Sequence, residues 1–103
     1  MNLFFTNVVS WADERGLILN GDKNRQMLKL AEEHGELAGA LARNNKREAV
    51  DAIGDMVVVL TILAEQIGVP IEECMQAAWA EIKDRKGKTT NGIFIKEGDK
   101  NDL

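Results

Sequence analysis

The sequence of 103 residues predicts an all-α fold, in which one four-helix, bundle-like domain is completed by dimerisation and followed by a short extended tail. The first observation is composition, because Ala, Leu, Glu and Lys are abundant while the chain contains one Pro and no Tyr. The second is the recurrence of apolar residues at helical spacing in four segments. The third is the balance of 45% apolar and 29% charged residues, which is typical of a soluble globular domain.

The first helix is predicted near the N-terminus. Phe4, Val8 and Trp11 follow the i, i+4, i+7 spacing of one helical face. The helix is expected to run from residue 3 to about residue 15, and Gly16 is a plausible C-terminal stop.

The second helix follows a turn at Asn20-Gly21, after which Asp22 can cap it. It is predicted from about residue 23 to residue 43. The face expected to pack in the core comprises Met27, Leu30, Ala31, His34, Leu37, Ala38 and Leu41. On this interpretation His34 is a packed histidine.

The third helix, from about residue 46 to residue 67, differs because the run 56–64 is apolar on every side except for Thr61. The absence of a Gly or Pro break after Gly54 favours a helix over a buried strand. A helix that is hydrophobic all round is normally buried all round. In so small a domain this requires a second subunit, so we expect a homodimer or a dimer of dimers.

The fourth helix is predicted between Pro70, which suits a first helical turn, and Gly87. Its expected buried face comprises Ile71, Cys74, Met75, Ala78, Trp79 and Ile82. The remaining residues alternate around Phe94, which indicates a short extended tail or hairpin edge that frays from about Glu97 and is flexible over 97–103.

Composition also restricts the possible partners and location. A net charge of −4 argues against nucleic acid as the main partner, because phosphate backbones favour a basic surface. One Cys and one His exclude an internal disulfide and a Cys/His zinc site. The N-terminus lacks a basic leader and the longest apolar run is far shorter than the ~20 residues of a membrane span. We therefore expect a soluble, cytoplasmic protein without a membrane partner.

Two clusters of carboxylates stand within these helices. Glu32, Glu33 and Glu36 lie opposite the predicted apolar face of the second helix, so a solvated outer face is one interpretation. The other is a binding site, since like charges at i, i+3 and i+4 destabilise a helix. Small residues such as Gly35 and Gly39 leave space beside these acids.

The third helix carries Glu48, Asp51 and Asp55 on one face, which continues into its apolar run. Asp55 is expected to be buried. Burying its carboxylate without a partner would cost free energy, so this carboxylate is expected to need a cation. Two acidic faces that meet across a bundle repel each other unless a divalent metal lies between them. Ligation by carboxylates alone suits Mg²⁺, with Mn²⁺ as an alternative.

EEHGE at 32–36 matches the EExxE motif of the MazG-like, all-α nucleoside triphosphate pyrophosphohydrolases, and AIGD at 52–55 resembles their ExxD motif. The similarity extends from about Met27 through the fourth helix, so it covers most of the chain. Ala52 stands where the family has Glu. Asp51 is the first candidate to supply the missing oxygen, and Glu48 is the second.

The resemblance implies Mg²⁺-dependent hydrolysis of nucleoside triphosphates, deoxynucleoside triphosphates in particular, to monophosphate and pyrophosphate in nucleotide-pool control. The implied catalytic residues are Glu32 and Glu33, with Glu32 or a metal deprotonating the attacking water. The implied metal ligands are Glu33, Glu36, Asp51 and Asp55, with Glu48 as a further candidate. The implied phosphate ligands are Lys83, Arg85, Lys86 and Lys88, and Trp11 is the candidate for binding the base.

Each assignment has a structural alternative. The basic residues that end the fourth helix would also complement its dipole. Trp11 would also suit core packing, which is the interpretation kept for Trp79, Cys74 and the Met residues. A ferritin-like di-iron site is excluded because it requires two Glu-x-x-His motifs. A non-enzymatic helical dimer, acting as an interaction module, and a phosphoribosyl-ATP pyrophosphohydrolase or dUTPase-like relative remain open.

Overall fold

The computed structural model describes residues 3–98 and contains four α-helices followed by a two-stranded antiparallel sheet. The elements are α1 (Leu3–Glu14), α2 (Lys23–Ala42), α3 (Lys46–Gln66), α4 (Ile71–Ile82), β1 (Gly87–Thr90) and β2 (Ile93–Lys96). The all-α prediction is confirmed, and the first three helices end within about a residue of their predicted bounds. The chain divides into two compact units, one ending at Ile71 and the other beginning at Glu72.

In the first unit α1 and α2 both pack on α3. The buried apolar side chains are Phe5, Ala12, Ala40, Ala49, Ala52, Val59, Ile62 and Ala64. Alanine predominates among them, and such small side chains allow helices to approach closely. Asp22 caps α2 by accepting hydrogen bonds from the amides of Asn24 and Arg25, and Asn45 caps α3 by accepting from the amide of Glu48.

The connection between α1 and α2 is held against α3. The side-chain amide of Gln66 donates a hydrogen bond to the Leu17 carbonyl oxygen at 2.9 Å. Gly21 packs against the same carbonyl so closely that a Cβ at this position would overlap the oxygen and approach the Gln66 amide. The C-terminus of α3 therefore fixes the path by which the chain enters α2.

The apolar run of α3, residues 56–64, is buried or half-buried in the single chain at every position except one. Val59 and Ile62 are buried, and the buried hydroxyl of Thr61 donates to the Val57 carbonyl at 2.7 Å. Leu60, however, is 42% exposed. Complete burial of α3 was expected only with a second subunit, so that expectation stays a prediction, and Leu60 is the residue of the run that the single chain leaves exposed.

The predicted core face of α2 was partly misplaced. His34 is exposed, so it is not a packed histidine, and Met27 and Leu41 are more than half exposed. Leu30 and Leu37 of the predicted face do turn inward and are half-buried, but they share the inward side with Glu33 and Ala40, which are both buried. Their 3-4-3 spacing forms a narrow helical seam on α3, and the wider apolar face turns away from it.

The second unit consists of α4 and a hairpin. The hairpin turns at Asn91-Gly92, where φ is 51° and 78°, as a tight turn between twisted strands requires. This confirms the predicted hairpin edge. The Glu97 amide donates to the Lys86 carbonyl at 2.6 Å, so the pairing extends one residue beyond β2. Residues 99–103 of the predicted flexible tail lie outside the described residues.

Helix α4 ends at Ile82, earlier than the predicted stop at Gly87, which begins β1 instead. None of its described side chains is buried. The expectation that Cys74, Met75 and Trp79 are core residues was therefore wrong for the single chain, because one helix and a two-stranded hairpin are too small to enclose side chains of this size. Within residues 3–98, no single helix has both the length and the apolar character needed to cross a bilayer.

Candidate active site

An open groove of about 690 Å³ runs along the helical hairpin formed by α2 and α3. We call it the acidic groove, and its lining residues are Glu32, Gly35, Glu36, Gly39, Arg43, Glu48, Asp51, Ala52 and Asp55. It therefore brings together acids from both of the clusters singled out in the sequence. The connection between the helices is only three residues long, so the end of α2 lies beside the start of α3.

Glu33 lies at the edge of the core beside this groove and is only 5% exposed. Its Oε2 atom is buried without a hydrogen-bond partner within residues 3–98, while Oε1 is 3.7 Å from the Lys29 ammonium. Burial raises the pKa of the Glu33 carboxyl, the neighbouring carboxyls of Glu36 and Asp55 raise it further, and Lys29 opposes them. An ionised Glu33 is thus incompletely compensated by the described protein groups.

Carboxylate oxygens of Glu32, Glu33 and Glu36 come within 4.8 Å of one another. Glu32 also accepts a hydrogen bond from Lys29 at 3.4 Å, which raises the pKa of the Lys29 ammonium. Three convergent carboxylates, one with a buried and unpartnered oxygen, form the hard oxygen donor set that a divalent cation such as Mg²⁺ requires. The residues present therefore fit a metal ion.

The buried acid lies on α2 and not on α3 as expected. Asp51 and Asp55 are exposed and line the acidic groove, where water solvates them. Glu33, expected on an outer face, occupies the inward seam. The 3-4-3 spacing of Leu30, Glu33, Leu37 and Ala40 was the sequence signal that could have identified it.

Ala52, at the position of the missing family Glu, is buried in the wall of the acidic groove. No carboxylate therefore extends from that point of α3. Asp51 precedes it in the chain and lines the same groove, so it remains the first candidate for the replacement ligand.

Sequence reasoning missed Arg43. It follows the last residue of α2, and its Nη2 atom is 2.6 Å from Oε2 of Glu48. Gly39, one turn earlier, leaves space for it, because a Cβ there would lie 3.0 Å from the Arg43 Nη1 atom. Arg43 stands seven residues after Glu36 on the same helical face, which was the available signal. Glu48, the second candidate ligand, is consequently already paired with a cation.

A second groove in this unit, of about 350 Å³, is almost entirely apolar. We call it the aromatic groove, and it is lined by Phe4, Asn7, Val8, Trp11 and Val58. Trp11 is 47% exposed, so core packing does not account for the whole ring. The Arg15 guanidinium lies 4.3 Å from the ring centroid of Trp11 and donates to its backbone carbonyl at 2.9 Å, which fixes the ring.

The predicted phosphate ligands belong to the second unit. Lys83, Arg85, Lys86 and Lys88 are all exposed, and Arg85 is 3.7 Å from Glu81. Lys86 and Lys88 line a groove of about 620 Å³ along the hairpin. Their role toward phosphate stays a prediction.

Comparison with known proteins adds two similarities. Residues 18–86 match the family model described as "Phosphoribosyl-ATP pyrophosphohydrolase". An "Uncharacterized 18.2 kDa protein in rep-hol intergenic region" of Haemophilus phage HP1 is 42% identical over 60 residues, which make up 58% of this chain and 37% of that protein. The chain thus spans well under two thirds of this relative. No solved structure matches the chain significantly.

Proposed function

Because the chain belongs to the phosphoribosyl-ATP pyrophosphohydrolase family, within the MazG-like all-α superfamily that its motifs resemble, we propose that it is a nucleotide pyrophosphohydrolase. The proposed reaction is hydrolysis of a nucleoside triphosphate, in particular a deoxynucleoside triphosphate, between its α and β phosphates. The products are the monophosphate and pyrophosphate. The proposed role is control of the nucleotide pool.

The observation that carries this proposal is the buried Oε2 atom of Glu33, which has no hydrogen-bond partner among the described residues. Leaving such a group uncompensated costs several kcal/mol in an apolar environment. A site that retains it beside Glu32 and Glu36 is best explained by a cation that completes it. In a family of pyrophosphohydrolases, that cation also neutralises substrate phosphate.

The proposed metal is Mg²⁺, with Mn²⁺ as the alternative, and its proposed ligands are Glu33, Glu36, Asp51 and Asp55. When bound, the metal supplies positive charge to the phosphate oxygens and the pyrophosphate leaving group, and it acidifies bound water. Asp51 is proposed to take the place of the family Glu absent at Ala52.

The side chains in and beside the acidic groove are proposed to have different roles in the reaction. Glu32 is exposed to the groove, and it is the proposed general base that takes a proton from the attacking water. Lys29 donates a hydrogen bond to Glu32 at 3.4 Å and so orients its carboxylate. Glu33, the other proposed catalytic residue, orients the bound metal from the buried side.

The aromatic groove is the proposed site of the base. Trp11 offers the open part of its ring for stacking, because Arg15 lies over the ring and holds it in place. Val58, which lines this groove, is three residues after Asp55 in α3, so both occupy one helical face. A nucleotide lying along α3 reaches both grooves.

A second candidate substrate is phosphoribosyl-ATP itself, which the family match favours. It shares the triphosphate chemistry and differs in the purine. Because both compounds carry a triphosphate, the acidic groove is proposed to bind either one, and the distinction is proposed to depend on the aromatic groove.

We also propose that the chain forms a homodimer or a dimer of dimers. Leu60 of α3 and Trp79 of α4 are exposed in the single chain, as are Ile53 and Ile67. Burying such side chains stabilises association through the hydrophobic effect. Sedimentation equilibrium tests this directly, and a monomer at micromolar concentration would contradict it.

The function is tested by incubating the protein with canonical and modified ribo- and deoxyribonucleoside triphosphates and with phosphoribosyl-ATP, with and without Mg²⁺. Phosphorus NMR should show a monophosphate and pyrophosphate, and no inorganic phosphate, only when the metal is present. Glu36→Gln and Asp55→Asn should abolish turnover while preserving helical content, and Asp13→Asn, outside both grooves, should not. A folded protein that hydrolyses none of these compounds would instead support the non-enzymatic helical dimer.

A further inference from the structure

Resting on the proposed function, we infer that Arg43, positioned by Glu48, binds the phosphates that leave as pyrophosphate. The nucleotide then lies in one direction along α3, which we call its polarity, with its base at Trp11 and its terminal phosphates at Arg43. This assigns phosphate recognition to a residue of the acidic groove itself.

The order of side chains along α3 gives this polarity. Glu48, Asp51, Asp55 and Val58 follow a 3-4-3 spacing on one face, so they form a row that rises about 15 Å at 1.5 Å per residue. The Arg43 ion pair lies at one end of the row and the aromatic groove at the other. A nucleoside triphosphate has the same sequence of chemistry, from a planar apolar base to a terminal anion.

The placement of Arg43 suits phosphate. Among the residues that line the acidic groove in the described chain, it is the one cation. Its side chain extends over Gly39, one turn along α2 from the carboxylates, and contact with Glu48 restricts its orientation. A guanidinium presents paired N–H donors that match two phosphate oxygens, and it keeps its charge at all physiological pH values.

Stability alone does not account for the pair. The side chains of Arg43 and Glu48 are 61% and 53% exposed, and ion pairs as exposed as this contribute little to stability. Both remain accessible from the groove. A substrate with several negative charges that enters a groove of carboxylates needs a fixed positive charge in addition to a metal.

Two calorimetric titrations test the assignment. The first titrates inorganic pyrophosphate in the presence of Mg²⁺, and the second titrates Mn²⁺ without pyrophosphate. Arg43→Gln should weaken pyrophosphate binding about tenfold or more, as loss of a charge-assisted contact predicts, and Arg43→Lys should weaken it less. Neither variant should weaken Mn²⁺ binding, since Arg43 ligates no metal. Glu48→Gln, which removes only the positioning charge, should have a smaller effect on pyrophosphate than Arg43→Gln.

Arg47→Gln is the matched control, because Arg47 is exposed and does not line either groove. It should leave both affinities unchanged. Trp11→Ala tests polarity and should also leave pyrophosphate binding unchanged. Circular dichroism establishes whether each variant is folded. If Arg43→Gln does not fold, Arg43→Lys is used in its place.

The outcomes separate this inference from the proposed function. Pyrophosphate affinity that is unchanged in Arg43→Gln, that falls equally in Arg47→Gln, or that depends on Trp11 overturns the inference even when triphosphates are hydrolysed. A wild-type protein that does not bind pyrophosphate overturns it as well. Binding that depends on Arg43 without hydrolysis of any triphosphate supports the phosphate site and contradicts only the proposed reaction.

Discussion

Asp55 and Val58 lie one turn apart on the same face of α3, yet they line different grooves, the first acidic and the second aromatic. A single rigid helix therefore sets the spacing between a site suited to cations and phosphates and a site suited to an aromatic ring. Substitutions in one groove should consequently change different kinetic constants from substitutions in the other.

Replacing Trp11 by Ala should raise KM for the preferred nucleotide and change kcat less. Stacking of a base on an aromatic side chain contributes about 1–3 kcal/mol, which corresponds to about 5- to 150-fold in affinity. Steady-state kinetics measures the effect. Nucleotide binding should also quench the fluorescence of Trp11 in a Trp79→Phe background, since Trp79 belongs to the other unit. An unchanged KM would remove Trp11 from the base site.

Glu33 should make the metal-free protein less stable as the pH rises. Its folded pKa lies above the ordinary value of 4.5, so the folded state binds a proton that the unfolded state has already lost. The resulting stabilisation is full below pH 4.5 and is lost as the pH rises through the folded pKa. Glu33→Gln should therefore be the more stable protein near neutral pH when EDTA is present.

Urea unfolding between pH 4 and pH 8, with EDTA or with Mg²⁺, measures this dependence. Mg²⁺ should stabilise the wild-type protein and have little effect on Glu33→Gln. The exposed neighbour provides a control, because Glu32→Gln should retain the pH dependence that arises from Glu33. Equal stability of wild type and Glu33→Gln at every pH in EDTA would contradict the prediction.

Asp51→Asn should weaken Mn²⁺ binding about tenfold or more if Asp51 replaces the missing family ligand, since loss of one carboxylate removes a charge as well as a donor. Ala52 lines the same groove, so Ala52→Glu in the Asp51→Asn background should restore affinity, whereas Ala52→Gln, of similar size but neutral, should not. Electron paramagnetic resonance of Mn²⁺ measures the metal affinity of all three variants. Full affinity in Asp51→Asn would point to another ligand.

Gly21→Ala should destabilise the first unit by about 1–3 kcal/mol, the usual cost of an overpacked position. The added Cβ would overlap the Leu17 carbonyl and displace the Gln66 amide that binds it. Gly54→Ala is the matched comparison, because nothing lies within 4 Å of a Cβ in that helical position. It should stabilise α3 by about 0.5–1 kcal/mol. Thermal unfolding of both variants gives the comparison.

The helices were predictable because their signals are local. Caps such as Asp22, stops such as Gly16 and the spacing of apolar residues depend only on neighbours in the chain. The inward direction of Glu33 was not predicted, because the broad apolar face of α2 suggested the opposite side. Only its packing on α3 shows that the narrower seam is the buried one.

The expectation of a buried acid was thus attached to the wrong helix, while the assignment of metal ligands stays a prediction. Asp55 adjoins an apolar run in sequence, but the groove beside α3 leaves it exposed to water. Arg43 was missed because a basic residue at the end of a helix is ordinary in sequence. Its contact with Glu48 depends on the short connection between α2 and α3, which brings the two helix ends together.

The family match begins at residue 18, after α1 has ended at Glu14. The acidic groove lies entirely within the matched stretch, whereas four of the five residues of the aromatic groove precede it. The proposed base site and the proposed metal site are therefore encoded in separate parts of the chain, and exchanging the first helix among homologues should change base selectivity. The carboxylates would not need to change.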